Sequence, residues 1–151
     1  MMDKEVLHKE IDLIQACISR MAHDSFLMKG WMLTLLAAIW AFAIRTETLF
    51  VISAMSLVII WAFWYLDAFF LCVEKMYREM YNWVIVERPK GNTDYLYNLD
   101  PYRFSAKVKS RFEIMFSVTL RCFYGIPFLL IAIILVWQIL MHNFDGLCYC
   151  Q

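Results

Sequence analysis

The sequence predicts an all-α integral membrane protein with three transmembrane helices and cytosolic helical extensions. Its residues are 62% hydrophobic and 19% charged, whereas soluble domains are about 45–50% apolar and about 25% charged. A transmembrane helix needs about 20 mostly apolar residues, and three stretches without Asp, Glu, Lys or Arg approach or exceed that length. These stretches cover residues 30–44, 48–66 and 122–144. We expect them to form the three spans of a single membrane domain.

An amphipathic cytosolic helix is predicted over residues 1–25. Its apolar residues repeat at spacings of 4, 3, 4 and 3, the pattern of a helical packing seam. We call them the α1 seam: Leu7, Ile11, Ile14, Ile18 and Met21. No glycine or proline interrupts the chain before Gly30. The helix is therefore expected to continue without a break into the first span, at residues 26–44.

A hairpin is predicted for the first two spans, because only the short stretch from Arg45 to Thr48 joins them. The second span covers residues 48–72, and a cytosolic helical extension follows at 73–88. Apolar residues of the extension again repeat at spacings of 4, 3 and 4. They form the α2 seam: Val73, Tyr77, Met80 and Val84. We expect the two seams to pack against each other and against the seams of neighbouring subunits.

The remaining chain is predicted to contain a loop, an amphipathic helix, a span and a tail. Turn-forming residues from Pro89 onward indicate a loop at 89–100. Asp100 followed by Pro101 is typical of a helix start, which predicts an amphipathic helix at 101–121. The third span then covers residues 122–142, and residues 143–151 form the tail.

Orientation follows from the Lys and Arg residues, which favour the cytosolic side of a membrane. They are concentrated before the first span and between the second and third spans, whereas Arg45 alone lies in the first turn and none lies in the tail. We therefore expect a bacterial inner-membrane protein with a cytosolic amino terminus and an external, periplasmic carboxyl terminus. The tryptophans lie mostly near predicted span ends, as interfacial anchors do; Trp31, Trp61 and Trp64 are examples.

Polar residues in or beside the spans are the candidate site residues. Asp67 lies near the inner end of the second span, where an ionisable group needs a partner or a function. One interpretation is a polar pathway or binding site; the favoured one is a structural pairing with Arg121, Lys29 or a neighbour's Arg. Glu74 and Arg78 follow on nearly the same helical face and are spaced for an i,i+4 pair.

The sequence favours a protein that is not an enzyme. His8, His23 and His142 lie far apart, and no glycine-rich phosphate loop or nucleophile motif is present. We therefore predict no catalytic residue, no cofactor and no metal site. The cysteine pair at 148 and 150 lacks the further ligands that zinc requires. Aromatic residues near basic ones are too few to predict nucleic-acid binding.

The segment from Trp64 to Leu71, with Glu74, Arg78 and Tyr81 after it, resembles a motif of small uncharacterised bacterial inner-membrane proteins. The stretch from Met21 to Phe26 and the triplet from Lys29 to Trp31 belong to the same resemblance, which covers roughly residues 10–85. More distantly, the layout is similar to SLATT-type two-span proteins and to RipA-like oligomeric membrane proteins. The resemblance implies oligomerisation and, for SLATT proteins, a membrane-perturbing role.

The expected function is that of a non-enzymatic homo-oligomeric assembly or scaffold module that acts through its cytosolic helices. Its expected partners are membrane lipid, other copies of the chain and a cytosolic protein. The alternative is a pore-forming or channel-like effector whose conduit is lined partly by Asp67. The two hypotheses differ in what faces the symmetry axis of the oligomer: a closed or lipid-plugged centre for the scaffold, and a conduit for the pore.

Overall fold

The computed structural model describes residues 4–43 and 49–148, and all regular secondary structure in these ranges is helical. The predicted all-α class is thereby confirmed for the described residues. In chain order the elements are α1 (Lys4–Ala43), α2 (Leu49–Glu87), a 3-10 helix (Arg88–Lys90), a second 3-10 helix (Pro101–Lys107), α3 (Arg111–Met115) and α4 (Val118–Cys148). The predicted turn at 45–48 and the end of the tail, with Cys150, lie outside the described residues.

Three of the helices, α1, α2 and α4, are long and apolar enough to cross a membrane. As expected from the absence of breakers, α1 is one uninterrupted helix of 40 residues. The predicted extension at 73–88 likewise continues the second span as part of α2, which has 39 residues. α4 begins at Val118 rather than at 122, and it continues into the stretch predicted to be a tail.

The chain is divided into two compact units. The first unit contains the chain up to Leu27 together with Asp67–Ile114, and the second contains Met28–Leu66 together with the chain from Met115 onward. Both long amino-terminal helices contribute to each unit. Each unit has its own interior, and the two are described separately.

The core of the first unit joins the two predicted seams. Ile14, Met80, Val84 and Phe104 are buried in one cluster. Partly buried apolar side chains surround it, namely Leu7, Ile11, Ile18, Tyr77, Tyr81, Trp83 and Leu99. The prediction that the α1 seam packs against the α2 seam is therefore confirmed within one chain. A second cluster contains Cys72, Met76 and Ile114.

The prediction of one amphipathic helix over 101–121 is wrong. The start at Asp100 is correct, because the Asp100 carboxylate accepts a hydrogen bond from the Tyr102 amide at 3.0 Å, but the helix that follows is of the 3-10 type and ends at Lys107. Val108 is extended, with φ −110° and ψ 144°. The Ser110 hydroxyl then accepts from the Glu113 amide at 3.3 Å and opens α3. Ser110 and Glu113 have the spacing of a capping box, a start signal that competes with a continuous helix.

The interior of the second unit is organised by Trp64. Its indole N–H donates to the carbonyl of Met115 at 2.7 Å, and its ring stacks on Tyr124 with centroids 6.1 Å apart. Phe116 meets the same ring edge-on at 5.5 Å. Trp64 is buried, so it packs inside the protein and does not serve as the interfacial anchor that its sequence position suggested.

Polar side chains of the second unit also join its helices. The Trp40 indole donates to the Ser56 hydroxyl at 3.1 Å, and the Gln138 amide donates to the Ser53 hydroxyl at 3.4 Å. Both serine side chains also donate to carbonyls one turn earlier in α2. In an apolar surrounding, such bonds remove the cost of an unpaired polar group.

Candidate functional site

Asp67 lies in the first unit with 0% of its surface exposed. Its carboxylate accepts a hydrogen bond from the Ser25 hydroxyl, so α1 and α2 each contribute one partner. Burying a carboxylate is costly unless hydrogen bonds or charges compensate it. The sequence indicated that Asp67 needs a partner, but it suggested a cation and gave no signal for Ser25.

Glu74 and Arg78 form the ion pair that their spacing predicted. The Arg78 guanidinium donates from Nε to Glu74 Oε1 at 2.7 Å, and its Nη2 lies 2.6 Å from the same oxygen. The Glu74 side chain is 8% exposed and the Arg78 side chain 63%. Arg78 therefore brings a mostly solvated charge to a mostly buried carboxylate.

The four predicted polar residues do not form one cluster in the structure. Asp67, Glu74 and Arg78 belong to the α2 part of the first unit, whereas Arg121 belongs to α4 in the second unit. Arg121 is exposed. The pairing of Asp67 with Arg121, Lys29 or a neighbouring subunit stays a prediction.

A second buried charge pair, between Glu10 and Arg88, was missed by the sequence reasoning. Arg88 Nε donates to Glu10 Oε2 at 2.8 Å, and Nη2 donates to Oε1 at 2.7 Å. The arginine side chain is 0% exposed and the glutamate side chain 3%. Such a two-point contact between a guanidinium and a carboxylate is among the stronger ion-pair geometries in proteins.

Arg88 also fixes the loop that follows it, residues 91–99, which we call the tyrosine loop. Its Nη1 donates to the carbonyls of Asn92 at 2.9 Å and Asp94 at 2.8 Å. Glu10 Oε1 accepts from the Tyr97 amide at 3.4 Å. The hydrogen bonds to Glu10 raise the pKa of the Arg88 guanidinium, although its burial acts in the opposite direction. Arg88 therefore stays charged, and the tyrosine loop is tied to α1 through this pair.

The backbone of the tyrosine loop adopts an uncommon conformation. Tyr95 has φ 59° and Tyr97 has φ 58°, in the left-handed region that non-glycine residues rarely occupy. Asn92 and Asn98 support the turns, because their side-chain oxygens accept from the amides of Asp94 at 2.8 Å and Asp100 at 3.0 Å. Backbone strain of this kind persists only where the surroundings hold it in place, and it is a reason to look for function.

Three consecutive side chains in the middle of the tyrosine loop face outward. Tyr95 is 60% exposed, and Leu96 and Tyr97 are also exposed. The Arg103 guanidinium lies 3.9 Å from the centroid of the Tyr95 ring and 5.5 Å from that of Trp83. Arg88 approaches the same Trp83 ring at 5.1 Å. The loop therefore presents aromatic residues in a fixed arrangement, supported by two arginines.

One sequence signal could have revealed the Glu10–Arg88 pair. Glu10 lies three residues after Leu7 and four before Ile14, which places a carboxylate on the apolar face of the helix. A charge there requires a buried partner. The identity of the partner could not be predicted, because Arg88 is 78 positions away.

The described residues contain no group of three or more His, Cys, Asp or Glu side chains that could hold a metal ion. The arrangement offers an exposed loop whose backbone is tied to Arg88 and Glu10 by hydrogen bonds. No protein-family model, no curated protein and no solved structure matches this chain.

Proposed function

We propose that this chain is a non-enzymatic, multi-pass protein of the bacterial inner membrane that assembles with copies of itself through the first unit. The observation that carries the proposal is the tyrosine loop, which hydrogen bonds tie to the buried Glu10–Arg88 pair. An aromatic surface that is already ordered loses little conformational entropy on binding. Tyrosine is also enriched among the residues that contribute most to protein interfaces.

The packing of the two seams on each other leaves the loop as an exposed apolar surface to consider for association. The α1 and α2 seams pack on each other inside one chain, so no neighbouring subunit is needed to cover them. The exposed aromatic side chains of the tyrosine loop, together with Tyr102, remain accessible. We therefore expect association through the loop and not through the seams.

The membrane location rests on the three apolar helices and on the distribution of basic residues. Three helices are long and apolar enough to span a bilayer, and the Lys and Arg content of the first unit favours the cytosol for it. In a second form of this proposal, the tyrosine loop binds a different, cytosolic protein in place of another copy of the chain. A pore lined by Asp67 receives less support, because Asp67 is buried against Ser25 in its own chain.

The test is the oligomeric state of a variant that lacks the two loop rings, Tyr95→Asn/Tyr97→Asn. Asparagine tolerates the left-handed conformation, so the substitution removes the aromatic surface while preserving the backbone. We expect the wild-type protein to be an oligomer by light scattering in mild detergent and by crosslinking in membranes. The variant should be mostly monomeric, with an unchanged helical circular dichroism spectrum.

The matched control is Leu13→Gln/Val86→Gln, which changes two exposed apolar residues on the helices of the same unit. This control should keep the wild-type oligomeric state. A monomeric wild-type protein, or a loop variant that assembles normally, would contradict the proposal. If the helix-face control dissociated instead, the interface would lie on the helices and not on the loop.

A further inference from the structure

Residues 107–113 run from the last residue of the second 3-10 helix, through the connection at 108–110, into α3, and they are anchored from one side. Val108 is half-buried and packs on the cluster of Cys72, Met76 and Ile114. The Cys72 thiol lies 4.0 Å from the carbonyl of Lys109 as a hydrogen-bond donor, and Ile114 is buried. These contacts hold the segment against α2.

Basic side chains occupy the opposite side of this segment. Val108 is extended and packs inward. A lysine lies on each side of it in the sequence, and the Lys107 amine is 5.5 Å from the centroid of the Phe104 ring. Both lysines and Arg111 are exposed, and Arg111 also lies 5.3 Å over the Phe69 ring. Glu113 is the one carboxylate within residues 107–113. We call residues 107–112 the basic ridge.

The basic ridge also contains an exposed apolar side chain, that of Phe112. Its side chain is 62% exposed, although it lies between the exposed Arg111 and Glu113. An exposed aromatic side chain among cations is typical of surfaces that lie in the headgroup region of a bilayer. The ridge therefore combines the two chemistries that an anionic lipid surface would meet, positive charge and an apolar ring.

We propose that the basic ridge binds the headgroups of anionic phospholipids, with the Phe112 ring entering the acyl-chain boundary. This inference rests on the membrane location given above. Val118 begins the third candidate span only six residues after Phe112, and six residues reach at most about 20 Å. Phe112 is thus tethered near the bilayer surface, where the cytosolic leaflet of a membrane carries negative lipid charge.

The test uses the full-length protein in detergent with added phosphatidylglycerol or phosphatidylcholine, and bound lipid is counted by native mass spectrometry. The wild-type protein should prefer phosphatidylglycerol, and Lys107→Gln/Lys109→Gln should reduce that preference about tenfold or more, since each cation near the surface is worth about fivefold. Arg111, which lies over the Phe69 ring, is left in place, and because the Lys107 amine lies over the Phe104 ring the variant must also keep the wild-type helical circular dichroism spectrum. Raised salt should weaken the wild-type preference.

The charge-matched control is Lys4→Gln/Lys9→Gln, which removes two exposed lysines from the start of α1. It should keep the wild-type lipid preference. Phe112→Ser should weaken the binding of both lipids to a similar extent, because the ring contributes apolar contact and not charge. An unchanged preference in the ridge variant, or an equal loss in the control, would overturn the proposal.

A second measurement separates this proposal from the membrane location itself. Resistance of the wild-type protein to alkaline extraction reports insertion, whatever the lipid preference. An inserted protein without a preference for phosphatidylglycerol would refute the basic ridge alone. Extraction of the wild-type protein by alkali would refute both the membrane location and the basic ridge. If the ridge variant lost its assembly but kept its lipid preference, the ridge would be a protein contact instead.

Discussion

At the scale of single residues, the pair of Glu10 and Arg88 differs in kind from the other ion pairs of the first unit. Both of its side chains are buried, whereas Lys90 and Glu87 form a pair in which the lysine side chain is 61% exposed. A buried ion pair adds little to the free energy of folding compared with apolar residues of similar size, but removing one partner leaves the other charge buried and uncompensated. When one partner of an exposed pair is removed, water solvates the remaining charge, so the loss of stability is small.

We predict that Glu10→Gln destabilises the first unit by about 3–5 kcal/mol, because Arg88 would stay charged and buried without its carboxylate. Lys90→Gln should cost about 0–1 kcal/mol, since that pair is solvated. Chemical unfolding in detergent, followed by circular dichroism, measures the difference. Glu10→Gln should also expose the tyrosine loop to protease, and equal stabilities for the two variants would contradict the argument.

What the sequence reveals at this scale is the need for a partner and not the partner itself. Asp67 and Glu10 are both carboxylates that the helical pattern places toward protein, so a compensating group could be expected. Their partners, Ser25 and Arg88, are 42 and 78 positions away. Only the local pair of Glu74 and Arg78 was fully predictable, because its geometry follows from one helical turn.

At the scale of elements, the apolar seams were predicted correctly because they depend on the helical repeat alone. Leu7, Ile11, Ile14 and Ile18 meet Tyr77, Met80 and Val84 in the first core. The segment 101–121 was predicted incorrectly because two local signals competed there. Its apolar residues suggested one helix, but the capping box of Ser110 and Glu113 starts a new one. The extended conformation of Val108, which is half-buried against the second cluster, completes the break.

We predict that Ile14→Ala destabilises the protein by about 2–5 kcal/mol, because Ile14 is fully buried where α1, α2 and Phe104 meet. Its neighbour Leu13 is partly exposed, so Leu13→Ala should change the stability by about 0.5 kcal/mol or less. The two variants differ by one position on the same helix. Detergent-solubilised protein unfolded with denaturant should separate them clearly, and equal losses would show that the seam is not the core.

At the scale of the whole molecule, the surface of the second unit is rich in large apolar side chains, whose exposure to water is unfavourable. Large apolar side chains are exposed on α1, α2 and α4 alike; examples are Trp31, Val58 and Ile133. Soluble monomers rarely expose continuous apolar patches of such extent. A bilayer removes this difficulty for helices, since their backbone hydrogen bonds are satisfied internally.

The Glu10–Arg88 ion pair has a consequence for membrane topology. It joins Glu10, which precedes the charge-free stretch of α1 at 30–44, to Arg88, which follows the charge-free stretch of α2 at 48–66. Because the two atoms in contact are 2.7 Å apart, the proposed membrane location requires both segments to lie on the same side of the bilayer. In the proposed orientation, which rests on the distribution of Lys and Arg, this side is the cytosol.

We predict that Lys9→Cys and Lys90→Cys, each in a variant with its native cysteines replaced by serine, are labelled from the same side. A membrane-impermeant maleimide should leave both unlabelled in intact spheroplasts and should label both in inverted vesicles. Thr46→Cys, which lies in the predicted external turn outside the described residues, should show the opposite pattern. Labelling of Lys9→Cys and Lys90→Cys from opposite sides would be incompatible with the buried ion pair. Labelling of both from outside would keep the pair but reverse the orientation that the basic residues predict.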